Sequence, residues 1–267
     1  MCYELRTSVL NKLKVMTSTE LPHISSWASF EGMTADDGQE NGQDTPRSHE
    51  IPAHRQKNYG SSVREGQRPS GVRNAGNLIP HSQHFPDEKT TTEPAAMELG
   101  CIINDIKHII VCGHSDCKAM NLLHALRDEE FSSQENRRKS PLRAWLCAHA
   151  SSSLEKFTQL EASGYHTPLI FQAETPMRKF AAYIDPDDKF AITDKLSQIN
   201  CLQQLQNIAS YGFLKKRLER HDLHIHALWF DIYTGDIYFF SRQSKRFVEI
   251  NENTIKQLLL EVKTYYS

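Results

Sequence analysis

Two side chains of the sequence, the imidazole of His114 and the thiol of Cys117, could bind a metal ion together. Four apolar, partly β-branched residues, 109–112, come just before them and have the pattern of a short buried strand. Ser115 and Asp116 then offer caps for a helix. An imidazole and a thiol three residues apart across such a turn can reach one ion, and the positive end of the helix favours the thiolate.

The elements around this pair determine where it lies. His114 is predicted at the carboxyl end of the strand, which is where open α/β sheets place their ligands. Cys117 is predicted in the first turn of a helix whose apolar residues recur at helical spacing, namely Ala119, Leu122, Leu123 and Leu126. The pattern alone does not define a zinc site, because zinc needs at least three protein ligands. A buried cysteine beside a hydrogen-bonded loop histidine is the alternative interpretation.

Two more motifs precede the strand. Residues 73–77 read Arg-Asn-Ala-Gly-Asn, and a helix containing Glu93 and Glu98 is predicted from about 92 to 103. In this order, and followed by Gly-His-x-x-Cys, the motifs resemble those of the β-class carbonic anhydrases, most closely of the animal branch. The resemblance covers about residues 72–267, and its specificity comes from the combination of motifs.

The resemblance implies a fold, a reaction and a set of site residues. The fold is an α/β domain with a mostly parallel sheet flanked by helices, and the family forms homodimers or larger homo-oligomers. The reaction is the reversible hydration of carbon dioxide to bicarbonate by a zinc lyase. His114 and Cys117 match two of the zinc ligands, while Asn74 and Gly76 match the turn that lines the substrate pocket. Alternatively, Asn74 and Gly76 merely serve a tight turn.

One part of the family pattern is missing. In the family, the remaining cysteine ligand belongs to a Cys-x-Asp-x-Arg motif on an early strand, which is central in the sheet. That motif occurs nowhere in this sequence, and no cysteine lies between Cys2 and Cys101. The domain is therefore expected to lack this first strand, and the chain to be weakly active or inactive. A non-catalytic scaffold that pairs with intact subunits is the alternative function.

Other residues of metal-ligating type could substitute for the missing ligand. Cys112 and His114 are two residues apart, so strand alternation points both side chains to one side, although burial of Cys112 in the core is the favoured interpretation. His224 and His226 form a further pair at this spacing, downstream of His221. For them a half-exposed strand face is favoured over a metal site.

The composition separates two regions of the chain. Between residues 31 and 72 only five of 42 positions carry a large apolar side chain: Met33, Ile51, Tyr59, Val63 and Val72. Burial of so few apolar groups cannot offset the conformational entropy that the chain would lose on folding. Residues 1–71 are therefore predicted to be a largely disordered, atypical N-terminal segment. Residues 72–267 form the predicted carbonic-anhydrase-like domain.

Charge and cysteine content limit the partners and the compartment. With 31 basic and 33 acidic residues, the chain has no charge excess that would indicate a nucleic-acid or membrane-surface partner. The sequence contains no run of 18 apolar residues, so no membrane-spanning helix is predicted. Six cysteines without an apolar signal segment favour a reducing intracellular compartment, either cytoplasm or mitochondrion.

The periodicity of the remaining sequence predicts alternating helices and strands. Helices are expected from Ser140 to Gly164, along residues 196–208 and over 254–265. A short strand is expected at 168–172, and a hairpin around Thr234-Gly235-Asp236. Residues 128–139 are predicted to be a polar loop and residues 173–189 to be irregular.

Overall fold

A computed structural model of the chain describes residues 71–87, 91–172 and 179–266. The predicted disordered segment therefore lies outside the described residues, apart from Gly71. The strands are β1 (His108–His114), β2 (Leu169–Phe171), β3 (Phe180–Ala182), β4 (His224–Phe230), β5 (Ile237–Ser241) and β6 (Arg246–Glu249).

The helices surround these strands. A 3-10 helix (Ser82–Asp87) comes first, and a π-helix (Leu99–Ile103) continues the first α-helix towards β1. The α-helices are α1 (Thr92–Glu98), α2 (Lys118–Ala125), α3 (Glu129–Ser132), α4 (Gln134–Lys139), α5 (Pro141–His149), α6 (Ser151–Ala162), α7 (Ile192–Ala209), α8 (Gly212–Glu219) and α9 (Ile255–Tyr266).

The main sheet has the strand order β1-β4-β5-β6. Strands β1 and β4 are parallel, with His108 opposite His224 and His114 opposite Phe230. The pairs β4-β5 and β5-β6 are antiparallel, because a short turn joins the strands of each pair. The predicted α/β fold is confirmed, but the sheet is mixed rather than mostly parallel. Among the described residues, β1 pairs on one side only, with β4.

Each face of the sheet is covered by its own apolar cluster. Residues of β1 and β4 with odd numbers, such as Val111 and Ala227, join the larger cluster with α2 and α5–α8. Residues with even numbers, such as Leu228, join the smaller cluster with β5 and α9. Strand alternation thus makes both strands apolar on both faces.

Helix α7 lies inside the domain. Its residues Asp194–Ile208 are all buried, including nine polar or charged side chains. A buried polar group must be hydrogen-bonded or it destabilises the fold, so these side chains are expected to bond to the segments around the helix. The helix predicted along residues 196–208 is present, but its burial on all sides differs from the amphipathic pattern that its apolar spacing predicts.

Several other local predictions were wrong. The helix predicted from 140 to 164 is two helices, α5 and α6, which meet at Ala150. Two short helices, α3 and α4, occupy the predicted polar loop, and α8 was not predicted. Strands β3 and β6 were not predicted either, because at three and four residues they are too short to show a periodic pattern.

The histidines of β4 are buried, which corrects the predicted half-exposed face. His224 and His226 are 8% and 7% exposed. The ring of His226 packs against Phe239 of the smaller cluster, and its Nε2 lies 3.1 Å from Nδ1 of His108. Burial and the neighbouring imidazoles hold the pKa of His226 well below its usual value. Among the described residues, no helix is long and apolar enough to cross a membrane.

Candidate metal centre

His114 and Cys117 face each other across the turn from β1 to α2. The imidazole Nδ1 lies 2.8 Å from the carbonyl oxygen of Ser115, to which it donates when protonated. This bond leaves Nε2 as the nitrogen available to a ligand. The thiol of Cys117 acts on the same imidazole and raises its pKa. The structure therefore brings the two predicted metal-binding side chains close enough to interact across the turn.

The surroundings of Cys117 favour its ionised form. Burial alone would raise the pKa of the thiol, but the neighbouring imidazole of His114 and the backbone N–H groups of Met120 and Ala119 lower it below its usual value. Cys117 is the N-cap residue of α2, so its sulfur lies beside the unpaired N–H groups of the first helical turn.

The two residues between them are held by a network that the sequence did not reveal. The hydroxyl of buried Ser115 donates to Asp231 (2.9 Å) and accepts from the backbone N–H of Ile232 (2.9 Å). Asp116 has a positive φ of 48°, and its backbone N–H donates to the carboxylate of Asp194 (2.7 Å). These bonds fix the turn in the conformation that brings His114 and Cys117 together.

Helix α7 reaches the site through a row of polar side chains on one side, Ser197, Asn200, Gln204 and Asn207. The hydroxyl of Ser197 donates to the carbonyl oxygen of His114 (2.7 Å). Asn200 donates to the carbonyl oxygen of Gly76 (2.8 Å), and Asn207 to that of Ile79 (2.8 Å). Gln204 accepts from the N–H of Ile79 (2.7 Å). Their spacing of three or four residues is the only sequence signal for this row.

The turn with Asn74 and Gly76 lies against α2. Asn74 donates to Leu78 O and Glu93 Oε1 (2.7 Å each) and accepts from the N–H of Leu78 (2.8 Å). Gly76 has a φ of 81°, and a Cβ placed there would lie 3.0 Å from Cε of Met120. The turn is thus braced by Asn74 and packed against the helix of Cys117. A role for these two residues in substrate binding stays a prediction.

The imidazole of His114 and the thiol of Cys117 are chemically suited to bind zinc. An imidazole with a directed Nε2 and a thiol with a lowered pKa are typical zinc ligands. Within residues 71–87, 91–172 and 179–266, however, no three His, Cys, Asp or Glu side chains lie close enough to hold one ion. Cys112 packs with the smaller cluster, where burial raises the pKa of its thiol to about 12. It therefore behaves as a core residue.

Three features of the site agree with the resemblance found in the sequence: the end of the parallel strand β1, the turn braced by Asn74, and the imidazole–thiol pair. A direct comparison with known proteins defines the family. A family model described as carbonic anhydrase matches residues 71–237. The chain belongs to the carbonic anhydrase family, in its β class and animal branch.

The similar proteins include two from nematodes. The chain is 45% identical over 199 residues to beta carbonic anhydrase 1 of Caenorhabditis elegans, which covers 73% of this chain and 72% of that protein. It is 42% identical over 195 residues to beta carbonic anhydrase 1 of Caenorhabditis briggsae, covering 72% and 71%. Among solved structures, the β-carbonic anhydrase CcaA is 26% identical with a TM-score of 0.49, covering 67% of this chain and 65% of that chain.

Proposed function

We propose that this chain is a zinc-dependent carbonic anhydrase that interconverts carbon dioxide and bicarbonate, with His114 and Cys117 as two of the protein ligands. The two side chains lie on either side of the turn, His114 at the end of β1 and Cys117 at the N-cap of α2, close enough to interact, and this placement carries the proposal. Bound zinc would supply a Lewis acid that lowers the pKa of water. The chain itself orients the imidazole through Ser115 and stabilises the thiolate through the backbone N–H groups that begin α2.

We further propose that the activity is weak or absent. The sequence contains no Cys-x-Asp-x-Arg motif, and the described residues offer no third ligand beside His114 and Cys117. Zinc held by two protein ligands binds more weakly than zinc in a complete site. Without the Asp–Arg pair of the family motif, the chain also lacks the groups that the family uses to receive a proton.

Metal content and turnover, measured on the full chain, test both statements. After dialysis against zinc and then against a graded zinc chelator, we expect substoichiometric zinc and slow hydration of carbon dioxide by stopped flow. Cys117→Ser is expected to abolish zinc binding, whereas Cys147→Ser, outside the site, is expected to leave it unchanged. Stoichiometric zinc with rapid turnover would contradict the weak activity. Equal zinc content in wild type and Cys117→Ser would contradict the site.

Asn74 and Gly76 are proposed to border the substrate pocket. Their turn packs against Ala119 and Met120, which follow Cys117 directly on α2. A substrate bound beside the metal would therefore lie close to this turn. If Asn74→Ala raises KM for carbon dioxide without lowering zinc content, the assignment is supported; a change in zinc content alone would limit the turn to a structural role.

We also propose that the chain self-associates in a reducing compartment inside the cell. Leu99, Ile102 and Ile103 of the π-helix are 51%, 44% and 69% exposed, an apolar surface typical of an interface. Each cysteine among the described residues is free, as expected in the cytoplasm or mitochondrion. Sedimentation equilibrium of wild type and Ile103→Lys tests the interface: a monomeric wild type would contradict it.

A further inference from the structure

Ser140 lies in a basic surface segment that the metal centre does not use. Residues 137–143 read Arg-Arg-Lys-Ser-Pro-Leu-Arg, so proline follows this serine directly and an arginine stands three positions after it. The structure places Ser140 between Lys139, the last residue of α4, and Pro141, the first residue of α5. Both neighbours are exposed and Ser140 is half-buried. The hydroxyl therefore lies at the surface, at the junction of two helices.

The hydroxyl of Ser140 has a proton that it can give up. Ser140 is the N-cap of α5, and its Oγ accepts from the backbone N–H of Arg143 at 3.3 Å, longer than a typical hydrogen bond of this kind. An oxygen that accepts in this way keeps its own O–H as a donor. The backbone of Ser140 is extended, with φ −134° and ψ 104°, as expected for a residue before proline.

The segment before and after Ser140 can leave the surface of the domain at little cost. Helix α4 has six residues, none of them buried, and residues 134–142 contain no buried side chain. A helix of this length is marginal without tertiary packing. Elements with few buried apolar contacts are the ones that open locally while the core stays folded. An enzyme can therefore bind this segment in an extended form.

The residues after Ser140 select one class of enzyme. Pro141 has no backbone N–H, so it suits a kinase that offers no acceptor at this position, where any other residue would bury an unpaired donor. The guanidinium of Arg143 lies over the exposed ring of Phe131 (5.5 Å to its centroid), where an acidic group of the kinase can pair with it. Arg137 and Arg138 would suit a kinase that recognises basic residues before the serine, but such a kinase makes no use of Pro141.

The surroundings of Ser140 also favour the phosphorylated product. A phosphoserine carries a charge of about −1.5 to −2 at pH 7. At this position it meets the positive end of the nine-residue helix α5 and the free N–H groups of its first turn. Four of residues 134–143 are basic, and their one acidic residue, Glu135, is paired with Lys139. Among the described residues, Arg137 and Arg138 form no ion pair.

We propose that Ser140 is phosphorylated by a proline-directed serine/threonine protein kinase and that the N-terminus of α5 holds the phosphate. The γ-phosphoryl group of ATP passes to Ser140: the bond between Oγ and phosphorus forms, and the bond from phosphorus to the bridging oxygen of ADP breaks. The hydroxyl proton goes to the carboxylate base of the kinase, and ADP leaves. The reaction involves neither His114 nor Cys117, so it depends on neither zinc nor the activity of the chain.

Treatment of the full, folded chain with ATP and a purified cyclin-dependent kinase tests the site. This kinase selects serine or threonine followed by proline, with a basic residue at the third position. The modified residues are mapped by mass spectrometry, because Thr45, Thr167 and Thr175 also precede proline. We expect phosphate on Ser140. Its absence from Ser140 in the folded chain would overturn the proposal, and a synthetic peptide of residues 134–146, treated in parallel, shows whether recognition or access fails.

Two variants test which residues the kinase recognises. Pro141→Ala restores an N–H after Ser140 and is expected to slow its phosphorylation at least about tenfold. Ser133→Ala is the matched control and should leave the rate unchanged, because Ser133 caps α4 as Ser140 caps α5 but is followed by glutamine. Equal rates in Pro141→Ala and wild type would overturn the assignment to a proline-directed kinase. Faster phosphorylation of Ser140 by cyclic-AMP-dependent kinase, which recognises basic residues before the serine, would overturn it as well.

Thermal unfolding of the phosphorylated chain tests whether the helix holds the phosphate. We expect phosphorylation to raise Tm by about 1–4 °C at low salt and by less in 0.5 M sodium chloride, because salt screens the interaction with the helix and the arginines. Ser140→Ala, treated with the kinase in parallel, corrects for phosphate on threonines and should show no such rise. An unchanged or lower Tm in the phosphorylated wild type would overturn the placement of the phosphate.

Discussion

Replacing Gly76 by alanine tests how tightly the turn packs against the helix of Cys117. Gly76 has a φ of 81°, a conformation that costs an L-residue about 1–2 kcal/mol. The new Cβ would lie 3.0 Å from Cε of Met120 and 3.4 Å from Cβ of Ala119. Met120 is fully buried, so it can move only by displacing other core atoms, which adds about 1 kcal/mol. We expect Gly76→Ala to lower the free energy of unfolding by about 2–3 kcal/mol.

Two other glycines separate the backbone strain from the crowding. Gly164 has a φ of 67°, but its Cβ would meet only Cδ2 of His166, at 3.6 Å. Gly164→Ala should therefore cost the strain alone, about 1–2 kcal/mol. Gly212 begins α8 with no atom within 4 Å of a new Cβ, so Gly212→Ala should be neutral or stabilise the protein by less than about 1 kcal/mol.

Urea unfolding followed by tryptophan fluorescence is the assay, since Nε1 of Trp145 donates to the carbonyl oxygen of Ala75 in this turn (2.9 Å). Stability should fall in the order Gly212→Ala, Gly164→Ala, Gly76→Ala. If Gly76→Ala cost no more than Gly164→Ala, the turn would not be packed against α2. The turn would then not border the metal site either.

Two further predictions concern buried titratable side chains. Below pH 6.5 the unfolded chain binds a proton at His226 that the folded chain does not, so the free energy of unfolding should fall on acidification by up to about 1.4 kcal/mol per pH unit. In urea unfolding between pH 7 and 5, His226→Gln should show a smaller loss of stability than the wild type. Lys195 and Asp185 form an ion pair whose side chains are 4% and 2% exposed, so Lys195→Met should cost about 3–5 kcal/mol. Lys118, paired with Asp116 but 82% exposed, is the control, and Lys118→Met should cost less than about 1 kcal/mol in the same assay. A flat pH profile, or equal losses in the two lysine variants, would contradict these assignments.

The local sequence was sufficient to predict β1, the turn after it, and the placement of His114 at the end of the strand and of Cys117 at the start of the next helix. Four apolar residues and a regular apolar spacing are signals carried by neighbours in the chain. The predicted caps, Ser115 and Asp116, were wrong, because the helix begins one residue later with Cys117 as its N-cap. The hairpin at Thr234-Gly235-Asp236 was predictable from neighbouring residues as well, and Gly235 has the positive φ that the turn needs.

What the sequence did not reveal depends on contacts between distant segments. Asp194 and Ser197 look like polar positions of a surface helix, and only the folded chain shows that they hold the turn of the metal site. His224 and His226 alternate with apolar residues as if one face met water, but both are buried, and the ring of His226 packs against Phe239. Periodicity reports which residues share a face and not what packs against it.

The row of polar side chains on α7 has a consequence for which substitutions the chain can accept. Ser197, Asn200 and Asn207 donate to main-chain oxygens of the two segments that border the metal centre. A deep mutational scan should therefore find the helix row intolerant even of small polar exchanges, whereas Ala75 and Ile79 should accept many replacements. Helix α7 holds the backbone of these segments, so positions such as Ala75 can vary, whereas Asn74 and Gly76 cannot, because the turn needs their own side chain or conformation.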